Sequence, residues 1–91
     1  MLWTELAEEA WDALFEPHQR MAAVMRAMEL LDWIEFSSAA AWDAAEPVGV
    51  PGVVTREIRR TMIEAGTPAL WIYWSLDAAK GAIVLDFAFA P

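Results

Sequence analysis

The chain contains no cysteine, and among its 91 residues there are only one histidine and four glycines. Without cysteine there is no disulfide framework, no thiolate metal site and no thiol nucleophile, and a reducing, cytoplasmic compartment is favoured. Gly49 and Gly52 lie in a segment interrupted by proline and are not followed by Gly-Lys-Ser/Thr, so no phosphate-binding loop is indicated. These absences remove several enzyme classes from consideration.

Basic residues are also scarce, since six Lys and Arg stand against fourteen Asp and Glu, a formal net charge of −8. Nucleic acids and anionic membranes are bound mainly through Lys and Arg, so we expect neither as a direct partner. The longest uncharged run, residues 65–76, is twelve residues long. A membrane-spanning helix needs about twenty, so none is expected.

What the chain has in excess is apolar side chains, at 58% of its residues. Domains usually contain about 45–50%, and a small single domain hides only about 60–65% of its surface on folding. We therefore expect one domain over residues 1–91 with apolar surface left outside its core. Such a surface predicts a protein partner, in a homo-oligomer or in a heteromeric complex.

The two halves of the chain differ in charge and in pattern. Residues 1–46 contain ten acids and two bases, whereas residues 47–91 contain four of each. The first half has helical spacing. Thr4 is a suitable N-cap for a helix over 4–15, and Pro17 suits the first position of a second helix that extends to about Glu35. The apolar positions of this second helix are Met21, Val24, Met25, Met28, Leu31 and Ile34.

After this helical hairpin, Ser37 and Ser38 are expected to cap a short third helix over 39–45. Segment 53–65 fits either a helix or a strand, because Val54, Ile58 and Met62 share one face in both. Beyond it, apolar residues alternate over 70–75 and 82–89 around a turn at 76–81, which predicts an antiparallel hairpin. The fold class is α+β, an N-terminal helical hairpin packed on a small antiparallel sheet that ends in a C-terminal β-hairpin.

Two N-terminal helices followed by a basic, an aromatic and an apolar strand form a pattern that spans nearly the whole chain. Its residues are Ala7, Ala10 and Leu14, then Met28, Leu30 and Leu31, then the segments 56–59, 69–74 and 83–89. This order resembles the RelE/ParE superfamily of toxins from type II toxin–antitoxin modules. The resemblance implies that 54–63 is a strand, and that the chain is one half of an antagonist pair.

The same resemblance implies two possible activities. Members that cleave mRNA are usually basic and use Lys, Arg, His or Tyr on the sheet and the C-terminal tail. Here the sequence ends at Phe89-Ala90-Pro91 without a basic tail, and the sole histidine, His18, is expected to be a solvated residue at a helix start. Members that resemble ParE act by binding a protein. We therefore expect no catalytic residue, no metal and no cofactor, with an mRNA endonuclease as one alternative.

Two groups of residues are candidates for partner binding. The first is the acidic face of the first helix, with Glu5, Glu9 and Asp12 as its candidate contacts beside Glu8 and Glu16. Its charges are either simply solvated or imitate nucleic-acid phosphates, as in acidic inhibitors of the phage anti-CRISPR type.

The second group is the aromatic segment Trp71, Tyr73 and Trp74. Trp71 and Trp74 fall on opposite faces of one strand, so one is exposed unless both faces of the sheet are covered. Exposed tryptophan is enriched in binding hot spots. The leading hypothesis is a non-catalytic protein-binding module that acts as an inhibitor or as half of a toxin–antitoxin-like pair.

Overall fold

A computed structural model describes residues 1–15, 21–49, 56–65 and 68–90 of the chain. Its elements, in chain order, are β1 (Leu2–Trp3), α1 (Glu5–Phe15), α2 (Met21–Phe36), α3 (Ser38–Ala44), β2 (Glu46–Pro47), β3 (Arg59–Ile63), β4 (Leu70–Asp77) and β5 (Gly81–Phe89). The predicted α+β class, with helices first and strands last, is confirmed. The expectations for Glu16, Pro17, His18 and Val54 concern positions outside the described residues.

The five strands form one sheet in the order β1-β5-β4-β3-β2. Strands β2 to β5 are antiparallel to their neighbours, whereas β1 pairs with β5 in parallel, at Leu2 with Ile83 and Trp3 with Val84. Both edge strands are two residues long, too short to produce a recognisable period, and the sequence did not predict either of them. The chain therefore passes from one edge of the sheet through the helices to the other edge.

Within the ambiguous segment, Arg59–Ile63 is a strand, whereas the described residues 56–58 and 64–65 on either side of it are not in a strand. β3 pairs with β4, with Thr61 opposite Ile72 and Ile63 opposite Leu70, and the Ile63 side chain is fully buried. The Thr61 hydroxyl accepts a hydrogen bond of 3.0 Å from the indole Nε1–H of Trp74. Tertiary pairing, which local spacing does not report, thus determines this segment.

The predicted C-terminal hairpin is present, with β4 and β5 joined by a turn at residues 78–80. Asp77 shapes the turn, because its Oδ1 accepts the backbone N–H of Ala79 and of Lys80, each at 2.8 Å. These two bonds, with Lys80 the stronger contributor, lower the pKa of Asp77. Gly81 closes the turn at a φ of +78°, a conformation that glycine adopts without strain.

Thr4 begins α1, as predicted. Its Oγ1 accepts the backbone N–H of Ala7 at 3.1 Å, which satisfies one of the free donors of the first turn. The same hydroxyl donates to the carbonyl of Leu85 at 2.7 Å, and the Thr4 N–H donates to the carbonyl of Val84 at 3.0 Å. One residue therefore caps the helix and fastens its start to β5.

The buried side of α2 differs from the one that the sequence suggested. Leu31 and Ile34 are buried as expected, together with Leu30, but the remaining buried positions are alanines, at 23 and 27. Met21, Met25 and Met28, which share the apolar spacing, are exposed. Apolar residues occupy both sides of this helix, so spacing alone did not distinguish the side that meets the sheet.

The expected caps of the third helix are wrong in detail. α3 begins at Ser38, and Ser37 occupies the N-cap position without a side-chain hydrogen bond. The Ser38 hydroxyl instead donates to the carbonyl of Ile34 at 2.6 Å. Backbone bonding starts α3, since the Ser37 carbonyl accepts the N–H of Ala41. Ser38 therefore joins the end of α2 to the start of α3.

The core lies between the helices and one face of β3, β4 and β5. Its largest fully buried side chain is Trp74, which meets Trp42 of α3 edge to face, with ring centroids 5.1 Å apart. Trp3, Trp11 and Phe87 form a second aromatic group, with centroids 5.2–5.5 Å apart. Most of the tryptophans thus serve packing, which is the ordinary role of aromatics in a small domain.

The two sides of α2 predict different responses to truncation. Ile34→Ala should lower the free energy of unfolding by about 2–5 kcal/mol, because Ile34 is fully buried and its truncation leaves a cavity. Met28→Ala should change it by less than about 0.5 kcal/mol, because Met28 is 55% exposed. Urea denaturation of the two variants measures both values, and equal losses would contradict the assignment of sides.

Candidate partner-binding surface

The three aromatic candidates for partner binding, Trp71, Tyr73 and Trp74, have little solvent-accessible surface. Trp71 pairs with Met62 and Ala88 and lies on the sheet face opposite that of Trp74, as the alternation predicted. Neither tryptophan is exposed, however, since Trp71 is 8% accessible and Trp74 is fully buried. Tyr73 is half-buried. Partner contact through these three residues stays a prediction, and only Trp71 and Tyr73 offer any surface for it.

Arg60 stacks over the ring of Trp71. Its guanidinium carbon lies 4.0 Å from the centroid of the Trp71 ring, and its Nη2 donates to Glu46 Oε1 at 2.9 Å. Side-chain hydrogen bonding, to Glu46 first, raises the pKa of Arg60. A charged side chain from β3, held by β2, therefore covers the tryptophan on the sheet face that carries Trp71.

The acidic candidates on α1 are where the sequence placed them. Glu5, Glu9 and Asp12 are all exposed, and so is Glu8 beside them. None of the four takes part in an ion pair within the described residues. The acidic face is real, and it remains compatible with both interpretations, a solvated helix face and an imitation of phosphates.

A third surface, which the sequence reasoning missed, lies on α2. We call it the α2 apolar face and define it by Met21 (59% exposed), Met25 (59%), Met28 (55%), Trp33 (37%) and Phe36 (78%). Nine large apolar side chains are exposed in the described ranges, and these are five of them. At 3.6 residues per turn they fall within an arc of roughly 140° on one side of the helix. The exposed Glu29 and Asp32 fall within the same arc, so the face is a row of apolar side chains interrupted by two acids.

Trp33 is the one tryptophan of the six that is classed as exposed, and all six lie in the described part of the chain. Because exposed tryptophan is enriched in binding hot spots, the candidate hot spot is Trp33 and not a tryptophan of the hairpin. The available signal was Ala23 and Ala27, which share a face with Ile34. If alanines occupy the buried side of a helix, the large residues opposite them face outward.

Acidic residues of α2 lie within and beside the α2 apolar face. Asp32 lies within its arc and has no ion pair among the described residues, whereas Glu29 pairs with Arg26 at 3.1 Å. Glu35 Oε1 lies 3.8 Å from the ammonium of Met1. Residues 1–15 and 21–44 together contain eight acids and a single arginine. The layer that presents the apolar face is therefore strongly negative.

The cations of the sheet are engaged by neighbouring groups. Arg56 lies 3.8 Å from Asp77, Arg59 lies 3.1 Å from Glu57, and Arg60 bonds Glu46. Arg59 also donates to the carbonyl of Trp42 at 2.7 Å. Over residues 1–15, 21–49, 56–65 and 68–90, only Lys80 lacks a carboxylate partner. Cations already bound to carboxylates are poorly placed to hold phosphates.

A cleft of about 360 Å³ opens where α2 meets the edge of the sheet at β3. Its charged residues are Arg26, Arg60, Glu46 and Glu64, so their formal charges cancel. Arg60 and Trp71 also line the cleft, and the Nε of Arg60 and the indole Nε1 of Trp71 are buried without a hydrogen-bond acceptor in the described structure. The cleft thus has no net charge to select an ion.

Comparison of the chain with protein-family models, curated proteins and solved structures finds no match. The RelE/ParE resemblance accordingly stays a prediction. No helix in the described ranges is long and apolar enough to cross a membrane. Groups of three or more potential metal ligands are likewise not found among the residues that the structure describes. We therefore infer function from the surfaces of this chain itself.

We predict that the chain does not cleave mRNA in a ribosome-programmed assay. The physical reason is that Arg56, Arg59 and Arg60 are each engaged by a carboxylate, which offsets the positive charge needed to stabilise a phosphoryl-transfer transition state. Sequencing of transcript ends after incubation with the purified chain measures cleavage. Cleavage that is abolished by Arg56→Ala or by Arg60→Ala would contradict this prediction.

Proposed function

We propose that the chain is a non-catalytic protein-binding module that contacts its partner through the α2 apolar face. It acts as an inhibitor, or as one half of a toxin–antitoxin-like pair, in the cytoplasm. The observation that supports this most directly is the concentration of five exposed large apolar side chains on one side of one helix. Contiguous apolar surface rimmed by polar residues is typical of protein interaction sites.

The energetics favour a partner that covers the whole face. Complete burial of one Met or Phe side chain contributes about 1.5–3 kcal/mol. Association costs roughly 4–15 kcal/mol in lost motion, so one or two such contacts do not offset it. From Met21 to Phe36 the face is about 22 Å long at 1.5 Å per residue. Stable binding therefore requires an element that extends along most of α2.

The likeness to a toxin scaffold is part of the proposal. The order on which the resemblance rests is found in α1 and α2 followed by arginine-containing β3, aromatic β4 and apolar β5, while β1, α3 and β2 are additional to that pattern. The engaged arginines argue against the mRNA endonuclease alternative and favour action by binding, as in members that resemble ParE. A protein antagonist rather than a nucleic acid is accordingly the proposed counterpart.

The acidic mimic is the second candidate, and the α1 face supports it. Four exposed acids without ion pairs in the described structure lie within the first twelve residues. A mimic of phosphates would use these charges for long-range attraction to a basic groove. The two functions differ in which helix makes the contact, so one set of variants distinguishes them.

The experiment captures a partner from the native host and then measures its dissociation constant with purified variants. Trp33→Ala, and separately Met25→Gln with Met28→Gln, should each weaken binding by about 2 kcal/mol or more if the α2 apolar face is the contact. Glutamine preserves the helix propensity of methionine, so the helix itself is retained. Leu6→Gln on α1, where Leu6 is 58% exposed, is the matched control. It should change affinity by only a few tenths of a kcal/mol.

Charge reversal at Glu5, Glu9 and Asp12 tests the mimic in the same assay. Under our proposal the triple reversal alters affinity by no more than about 1 kcal/mol, as charges at the rim of an interface usually do. If it abolishes binding and slows association steeply while the α2 variants bind normally, the chain is an acidic mimic. Circular dichroism of each variant confirms that it is folded.

A further inference from the structure

We infer that the partner element lying on the α2 apolar face is an amphipathic α-helix with Lys and Arg beside its apolar side. This inference rests on the proposed function and adds the chemistry and secondary structure of the contact. It depends on three features of the described residues: the row of exposed apolar side chains along one side of α2, the backbone of α2, and the acids within and beside that row.

The backbone of α2 favours a helix over an extended segment as the bound element of the partner. α2 satisfies its interior N–H and C=O groups within itself, so its side offers no main-chain hydrogen bonds to a partner. An extended segment pressed onto Met21, Met25 and Met28 would bury its own backbone groups against apolar atoms without acceptors or donors. A helix satisfies these groups internally. It can therefore lie along the whole row without this penalty.

The spacing of the row also matches a helix. Met21, Met25 and Met28 stand at positions i, i+4 and i+7, which is the arrangement of ridges that pack into the grooves of a second helix. Methionine is unbranched and flexible, so such a surface adapts to the side chains of its partner. Trp33 and Phe36 extend the row towards the C-terminal end of α2 with two large rings.

Charge determines the composition of the partner helix. Asp32, within the arc of the row, has no ion pair in the described structure, and the helical layer has eight acids against one arginine. The C-terminal half of α2 adds the negative end of the helix dipole close to Asp32 and Glu35. Lys and Arg on the partner would neutralise this end. We expect them over the C-terminal half of α2.

The same charges argue against a second copy of this chain as the occupant. In a dimer through this face each copy would bring its own Glu29, Asp32 and Glu35 into one interface, and each chain has a net charge of −8. Like charges brought together at an interface are unfavourable. The composition allowed either a homo-oligomer or a heteromeric complex, and the charge of this surface therefore favours the heteromeric complex.

The test uses a synthetic probe and the full chain. The probe is a peptide of about 18 residues made of leucine and lysine, with leucines at helical spacing, long enough to cover α2. A second peptide has the same composition with leucines at every other position, and a third replaces lysine by glutamate. Binding is measured by calorimetry at physiological salt. Methyl NMR spectra of the five methionines locate the contact.

We expect the helical leucine–lysine peptide to bind and to shift the methyl signals of Met21, Met25 and Met28. Met25→Gln with Met28→Gln should weaken binding by about tenfold or more, whereas Leu6→Gln should change it less than about twofold. Asp32→Asn should weaken binding severalfold and reduce its salt dependence. Glu9→Gln on α1 is the matched charge control and should have a smaller effect.

Three results would overturn the inference. Equal binding of the alternating peptide would show charge attraction without helical recognition, and binding of the leucine–glutamate peptide would remove the role of the acids. Dimerisation of the chain alone in sedimentation, abolished by the Met25 and Met28 variants, would assign the face to a second copy. If a captured partner depends on Met25 and Met28 but the leucine–lysine peptide fails to bind, the proposed function stands and this inference alone fails.

Discussion

The structure depends on how the helical layer meets the sheet, which is through alanines together with a few larger aliphatic side chains. Ala7, Ala23, Ala27 and Ala41 are all essentially buried, beside Leu30, Leu31 and Ile34 of α2, and Trp74 is the largest fully buried side chain of the sheet. On the inner side of α2, Ala23 and Ala27 lie beside the buried Leu30, Leu31 and Ile34, whereas Met21, Met25 and Met28 face outward. The helix therefore presents large apolar side chains on both sides, and only one side is covered by the sheet.

This arrangement separates two kinds of surface. On the sheet, Arg60 covers Trp71 and is itself held by Glu46, so aromatic and cationic groups satisfy one another within the domain. On α2, Met25, Met28 and Phe36 have no comparable cover in the described structure and stand among acids. A row of exposed apolar side chains promotes aggregation of a free protein, whereas in a protein that binds a partner the same row supplies the contact surface. Our account of function follows from this contrast.

Local pattern was sufficient for the elements that depend on local interactions. The alternation over β4 and β5 predicted the hairpin, and Thr4 was a correct N-cap because its bond to Ala7 lies within one turn. Local pattern was insufficient where the structure of a segment depends on residues that are distant in the sequence. β3 is a strand because Thr61 and Ile63 pair with β4, and the ring of Trp71 is stacked by Arg60, which reaches it from the next strand. The exposure of Met21, Met25 and Met28 was missed because α2 is apolar on both sides, and alanine gives too weak a signal to mark the buried one.

The central claim is that the methionines of α2 face solvent in the free chain, and a solvent paramagnetic relaxation measurement tests it most directly. The chain is labelled at the methionine methyl groups and studied with a soluble gadolinium chelate, at a concentration where sedimentation shows a monomer. We predict strong relaxation enhancement at Met21, Met25 and Met28, all more than half exposed, and weaker enhancement at the half-buried Met62. Protection of all three α2 methyl groups to the level of Met62 would contradict the account.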